Sequence, residues 1–485
     1  MIGQRKEISY SGRPESTIFW GWWKGIGILC LALAAAVASP AQTFTTLVNF
    51  NGTNGSQPSY MSLTQGLDGS LFGTTSGDTA FSMNTIFKMK LDGALTTIYS
   101  FSDDPGSGQY GLTLATNGTF YGTTQSGGTY GYGSVFSITP TGILNTVYSF
   151  TGGADGFNPE CTLVQGADGN FYGTTFQGGT YEYYGTVFRM TQAGILNTLY
   201  SFNDGDGSGP QGGLIKGTDG DFYGTTMNGI NFWGTVYKIT PNGKLTTLHS
   251  FCTTVGCPDG EQPQGGVVQG SDGNFYGATL AGGAYGGGTI FRVSSAGSFT
   301  TIYNFCGQIN CPDGSSPGAG LVEGTDGNFY GTTFYGGSSF QGTAFEVTPS
   351  GTETVLHNFC SLSNCADGQY PVGGLVQDTN GMFYGTTDFG GAYNEGTVFS
   401  LSVGLGPFVK TLPTSGRVGE IIAILGNKLT SATNVTFNGV DAAFNVNSTG
   451  TAIFTTVPTA STTGFVTVTT PSGTLRSNVK FRVRP

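Results

Sequence analysis

Along most of the chain, apolar and polar residues neither alternate strictly nor recur with a helical period. Short runs dominated by Thr, Val, Tyr and Phe are cut at close intervals by Gly, Asn and Asp, which is the pattern of short strands joined by turns. One stretch shows the unit: GGLIKG (212–217), DFYGTT (221–226), GTVYKIT (234–240) and KLTTLHSF (244–251), with Asp219-Gly220 and Pro241-Asn242-Gly243 as turns. No stretch has helical periodicity long enough for a crossover, so the strands are expected to pair antiparallel. Phe222 and Tyr223 are neighbours and point to opposite faces of their strand. A sheet with an aromatic on each face needs cover on both sides.

The unit repeats. FYGTT or a close variant recurs with its second residue at Phe72, Tyr121, Tyr172, Tyr223, Tyr276, Tyr330 and Tyr384, at spacings of 49, 51, 51, 53, 54 and 54 residues. Repeats of this length with four strands each predict a propeller, whose blades are covered on both faces by their neighbours. The array opens with a fourth-type strand, TFTTLVNF (43–50), and closes with a third-type strand, GTVFSLSV (396–403). The N-terminal strand is therefore expected to complete the last blade, giving seven four-stranded antiparallel blades and a closed ring over residues 42–404.

These FYGTT, GG and GTVF blocks resemble the Gly-rich tandem-repeat family named for Gloeobacter and Verrucomicrobia, over roughly residues 43–403. The resemblance implies an extracytoplasmic bacterial protein, often surface-anchored, with no defined biochemical role. A C-terminal anchoring helix is not evident. Residues 405–485 read differently, with alternating strands in NVTFNGVDAAFNV, TAIFTTVP and TTGFVTVTTPSGT. They resemble an IPT/TIG domain, which implies a small immunoglobulin-like β-sandwich acting as a spacer or accessory contact.

Composition narrows the class. Charged residues make up 10 % of the chain, and 84 Gly accompany 36 Phe and 23 Tyr, too much apolar area for a disordered polymer. Residues 1–41 read as a signal peptide: Arg5, Lys6, Arg13 and Lys24 precede the apolar run 25–38, with cleavage after Ala38 or Ala41. The run is shorter than the roughly 20 residues of a spanning helix. A secreted or cell-surface protein without a membrane span in its mature form is expected. Residues 42–404 carry 25 acidic against seven basic residues, a field that repels nucleic acid, whereas 405–485 carry two against seven.

Candidate chemistry is sparse. His249 and His357 occupy a fourth-strand position that holds Val48, Tyr99, Tyr148, Tyr200 and Tyr303 in other copies, so both are read as strand residues. Neither a Ser-His-Asp arrangement nor a His-based metal site has its parts. The pairs Cys252/Cys257, Cys306/Cys311 and Cys360/Cys365 each have four intervening residues, and an exported chain favours a local disulfide in each over zinc. Cys161 is left as a buried thiol. Asp68, Asp168, Asp219, Asp272 and Asp326 precede Gly in hairpin turns, and turn chemistry accounts for them. Asp155, Asp206, Asp259, Asp313 and Asp367 recur in longer loops, where calcium is the alternative to a structural role. No acidic residue stands apart from the repeat as an active-site carboxylate would.

In an up-and-down blade the loops after the second and fourth strands share one face. The loops after the second strand carry Tyr130, Tyr132, Tyr181, Tyr183, Tyr184, Phe232, Trp233, Tyr285, Phe340 and Tyr393. Such aromatics either contact a glycan or protein partner or pack down on the blades. Tyr130, Tyr132, Tyr183, Trp233, Tyr285, Phe340 and Tyr393 are the contacts expected, with Trp233 foremost. The sequence thus reads as a monomeric, non-catalytic scaffold or binding protein. The rival is a polysaccharide-cleaving lyase or glycosidase on the same scaffold, with calcium assisting.

Overall fold

A computed structural model describes residues 42–58, 62–77, 84–101, 109–229 and 233–485, so the leader 1–41 lies outside the described residues. The chain is all-β and propeller-like. Seven four-stranded antiparallel sheets follow one another from residue 64 to 402, the seventh completed from the N-terminus. In the fourth sheet the strands are Ile215–Lys216, Phe222–Thr226, Thr235–Ile239 and Leu245–Ser250. The innermost strand is shorter than GGLIKG suggested: only two residues pair, Ile215 with Tyr223 and Lys216 with Phe222.

The motif residues have separate tasks. The Phe and Tyr of FYGTT are buried in every described copy. The Tyr of one sheet lies against the Phe of the next: Tyr172 on Phe222 with centroids 4.0 Å apart, Tyr223 on Phe275 at 3.7 Å and Tyr276 on Phe329 at 3.9 Å. The Gly is required by its neighbour, not by its backbone, because a Cβ on Gly173 would meet the Phe188 ring of the third strand at 2.6 Å. The last Thr ties the second strand to the third, as Thr175 Oγ1 to Thr186 Oγ1 at 2.8 Å and Thr387 Oγ1 to Thr397 Oγ1 at 2.8 Å.

Thr43–Asn49 pairs antiparallel with Thr397–Ser402 and forms the outer strand of the seventh sheet. Val48, Phe50, Leu71, Phe87, Tyr384 and Val398 share one core, so the seventh sheet packs on the first.

After residue 404 two further four-stranded sheets share a core of Ile422, Ile424, Val435, Phe437, Ile453 and Val468. Ser415–Arg417 pairs in parallel with Arg482–Arg484 beside them. This C-terminal part rests on the tight first-to-second-strand turns. Thr451 Oγ1 donates to the Leu67 carbonyl (2.7 Å), Asn427 Nδ2 to Thr379 Oγ1 (2.7 Å), Lys216 Nζ to Ser415 Oγ (3.0 Å) and Arg482 Nη1 to the Thr218 carbonyl (2.7 Å). Lys410 donates to the Gln377 carbonyl beside Asp378, and burial pushes its amine down to about 8. Among the described residues these contacts reach the first, fourth and seventh sheets on the side opposite the long loops.

Candidate functional site

The two aspartate series are both engaged inside the fold. In the hairpin series, Tyr172 Oη donates to Asp168 (3.0 Å), Tyr223 Oη to Asp219 (2.7 Å) and Tyr330 Oη to Asp326 (2.8 Å). The turn aspartate thus holds the second-strand Tyr as well as its own turn. In the loop series, Tyr148 Oη donates to Asp155 (2.9 Å) and Tyr303 Oη to Asp313 (2.8 Å), while His249 Nε2 lies 2.8 Å from Asp259 and His357 Nε2 3.1 Å from Asp367. Loop N–H groups of Thr151, Cys252, Cys306 and Ser361 donate to the same carboxylates. Burial opposes charge on Asp367, but the bonds from His357, Ser361 and Leu362 outweigh it and hold the carboxyl down at about 2. These four carboxylates, and Asp206, which accepts from the Tyr200 hydroxyl and from Asn203, act as loop clamps.

The histidines complete the same clamp and stack on the adjoining outer strand, His249 on Phe299 and His357 on Phe44, both at 3.6 Å. Disulfides join Cys252–Cys257, Cys306–Cys311 and Cys360–Cys365, bonds that suit an oxidising, extracytoplasmic environment. Among the described residues the one grouping with metal-ligand spacing is Cys252, Cys257 and Glu261, and both of its sulfurs are in a disulfide. Cys161 is a buried free thiol, and burial pushes it up to about 11. No helix among the described residues is long and apolar enough to cross a membrane.

On the loop-bearing face Tyr130, Tyr183, Tyr285, Phe340 and Tyr393 are between 53 % and 69 % exposed, and Tyr132 and Tyr181 also reach solvent. They come from five different sheets and are not gathered into one pocket. An open groove of about 670 Å³ lies between the second and third sheets, bordered by Tyr148, Asp155, Tyr181 and Thr198. Trp233 differs from the rest: it is half-buried and packs on the core of Tyr223, Val236 and Phe251. Phe232 lies outside the described residues.

Closer to the inner strands, the loops bring together a half-buried polar network. Glu160 accepts from Gln125 Nε2 (2.5 Å) and from Gln211 Nε2 (3.1 Å), and Gln211 Oε1 accepts in turn from Gln264 Nε2 (2.8 Å).

Residues 60–259 and 233–453 match the model of the Gloeobacter/Verrucomicrobia repeat. The chain belongs to this repeat family. No match was found among the curated proteins. Among solved structures the similarities are at low identity. A protein assigned as a gluconolactonase is 11 % identical, with 76 % of this chain and 94 % of that one covered and a TM-score of 0.38. A fungal alcohol oxidase in complex with copper is 13 % identical, covering 91 % and 99 %, with a TM-score of 0.46. An auxiliary nutrient binding protein from Bacteroides thetaiotaomicron is 13 % identical, covering 75 % and 76 %, with a TM-score of 0.43.

Within the family repeat, acidic residues do stand apart, contrary to the sequence reading, Glu160 and Glu353 among them. Glu160 follows Pro159 where other copies have Gln211, Gln264, Gly318 and Val372. Glu353 opens an outer strand where other copies have Leu95, Leu144, Leu196, Leu245 and Phe299. Comparing copies by strand position was the signal that would have found both. Glu353 lies beside Tyr303, whose hydroxyl is 3.5 Å from Glu353 Oε2. Burial, reinforced by the Asp313 charge, pushes the Glu353 carboxyl up to about 7.

Proposed function

We propose that the chain is an exported, monomeric, non-catalytic binding protein, a closed seven-bladed propeller over 42–404 with an IPT/TIG immunoglobulin-like module at 405–485. Its signal peptide is 1–41, and its loop-bearing face engages a glycan or a protein of the cell surface. The observation that carries this reading is the distribution of exposed aromatics. Tyr130, Tyr183, Tyr285, Phe340 and Tyr393 are presented by five sheets on the face opposite the contacts of the C-terminal part. Rings held on short Gly-rich loops bury large area at low entropic cost. The commitment of the loop aspartates to Tyr, His and backbone partners favours binding over hydrolysis, which needs a free pair of carboxyls. Seven sheets in succession, with Tyr384 and Leu71 in one core, support the closed ring.

The test is a glycan array probed with the mature protein, with and without calcium. Binding that falls when Tyr183, Tyr285 and Tyr393 are replaced by Ala, at unchanged Tm, supports the reading. Release of new sugar ends from a bound polysaccharide would instead make the protein a lyase or glycosidase.

A further inference from the structure

The residue after the loop Pro decides how the inner end of each loop is filled. Glu160, Gln211 and Gln264 fill it with long polar side chains that bond to one another. The next copy has Gly318, and there the chain of side chains stops. A cavity of about 220 Å³ opens, lined by Gln264, Ser316, Gly318, Phe334, Tyr335 and Pro371 among others.

Backbone conformation does not demand this glycine. Gly318 is absent from the residues with positive φ, unlike Gly266 and Gly213 in the neighbouring loops. A Cβ there would meet only the ends of flexible side chains, Gln264 Oε1 and Leu280 Cδ1, each at 3.2 Å. The glycine therefore leaves space, and Gln264 Oε1 points into it.

The walls define the occupant. Phe334 and Tyr335 are the only adjacent aromatics at this loop position, where other copies have Phe176-Gln177, Met227-Asn228 and Leu280-Ala281. Tyr370 stacks on Phe334 at 5.1 Å and fixes it, while Tyr335 is 48 % exposed. The hydroxyls of Ser316 and Tyr335 make no hydrogen bond among the described residues, and no charged side chain lines the cavity. A charged ligand would lose water here without a compensating partner. An apolar side chain would leave the amide oxygen and the hydroxyls unpaired. A neutral sugar ring meets both conditions, with a C–H face for the aromatics and hydroxyls for the polar atoms.

We propose that this cavity, opened by Gly318 beside Phe334 and Tyr335, binds a single neutral sugar unit of a glycan. The proposal rests on the glycan-binding reading of the loop face and places its principal subsite.

The test uses the mature full chain with methyl glycosides of neutral hexoses and N-acetylhexosamines, followed by saturation-transfer NMR and calorimetry, beside an array of neutral and acidic glycans. Gly318→Gln installs the residue of the preceding copies, and Val372→Gln does the same one sheet further on as a second variant. Both are checked by Tm. The expected result is binding of neutral glycosides that weakens about ten-fold or more in Gly318→Gln at unchanged Tm, while Ile143→Ala, at an exposed turn between a third and a fourth strand, leaves the monosaccharide signal intact. Glycan binding on the array that neither Gln variant alters would overturn this site and leave the broader reading standing. Binding of acidic sugars alone would overturn the neutral chemistry. If no glycan binds and a peptide does, both this proposal and the glycan reading fail.

Discussion

His357 lies flat on Phe44, with ring centroids 3.6 Å apart and planes within 5° of parallel. The histidine belongs to the outer strand of the sixth sheet and the phenylalanine to the N-terminal strand that completes the seventh. Through this contact and its own pairing, a segment at the start of the chain becomes a packing surface for residues near the end of the repeats.

Removal of residues 43–50 is therefore expected to expose an unpaired strand edge and the Val398 core, lowering Tm by on the order of 5–10 °C. Phe50, fully buried, should account for much of this, with Phe50→Ala costing about 3–5 kcal/mol. Phe44→Ala, only half-buried, should cost less. Denaturant titration of the three proteins checks the order.

The disulfides close short loops, so each should contribute about 2 kcal/mol. Non-reduced mass spectrometry should show Cys252–Cys257, Cys306–Cys311 and Cys360–Cys365 with Cys161 free. Alkylation of Cys161 should require denaturant, because its thiol is buried and pushed up to about 11.

Glu353 should make stability fall as pH rises from about 4.5 to 7. Its folded pKa of about 7 lies above the unfolded value, so in that window the folded form holds a proton that the unfolded form has lost. The half-buried position reduces the effect to on the order of 1–2 kcal/mol. Glu353→Leu, the residue of four other copies, should raise Tm at pH 8 and flatten the profile between pH 5 and 7. An unchanged slope would remove Glu353 as its source.

Asp259→Asn should cost about 1–3 kcal/mol, since Cys252 N–H and His249 both lose a charged acceptor. Calorimetric titration with calcium should give the same result for this variant and the parent. A calcium signal lost on substitution would make the loop aspartates ligands after all.

Much of this protein was legible in its sequence because each repeat carries a complete local instruction. The adjacent aromatics of FYGTT, the threonines that tie strands together, the Asp-Gly turns and the close cysteine pairs act within one copy or on the nearest sheet, so their recurrence exposes their task. The positions that depend on a particular neighbour were not legible in this way. Trp233 read as an exposed loop aromatic, yet it packs on a core assembled from several strands. Glu160 and Glu353 acquire their character from side chains presented by other copies, and the cavity at Gly318 exists because Gln264 ends beside it. The seating of the C-terminal sheets on the tight turns likewise joins residues as far apart as Leu67 and Thr451. Local propensity and repetition determine strands and their pairing. Which surface meets which is decided only when non-local packing brings the copies together.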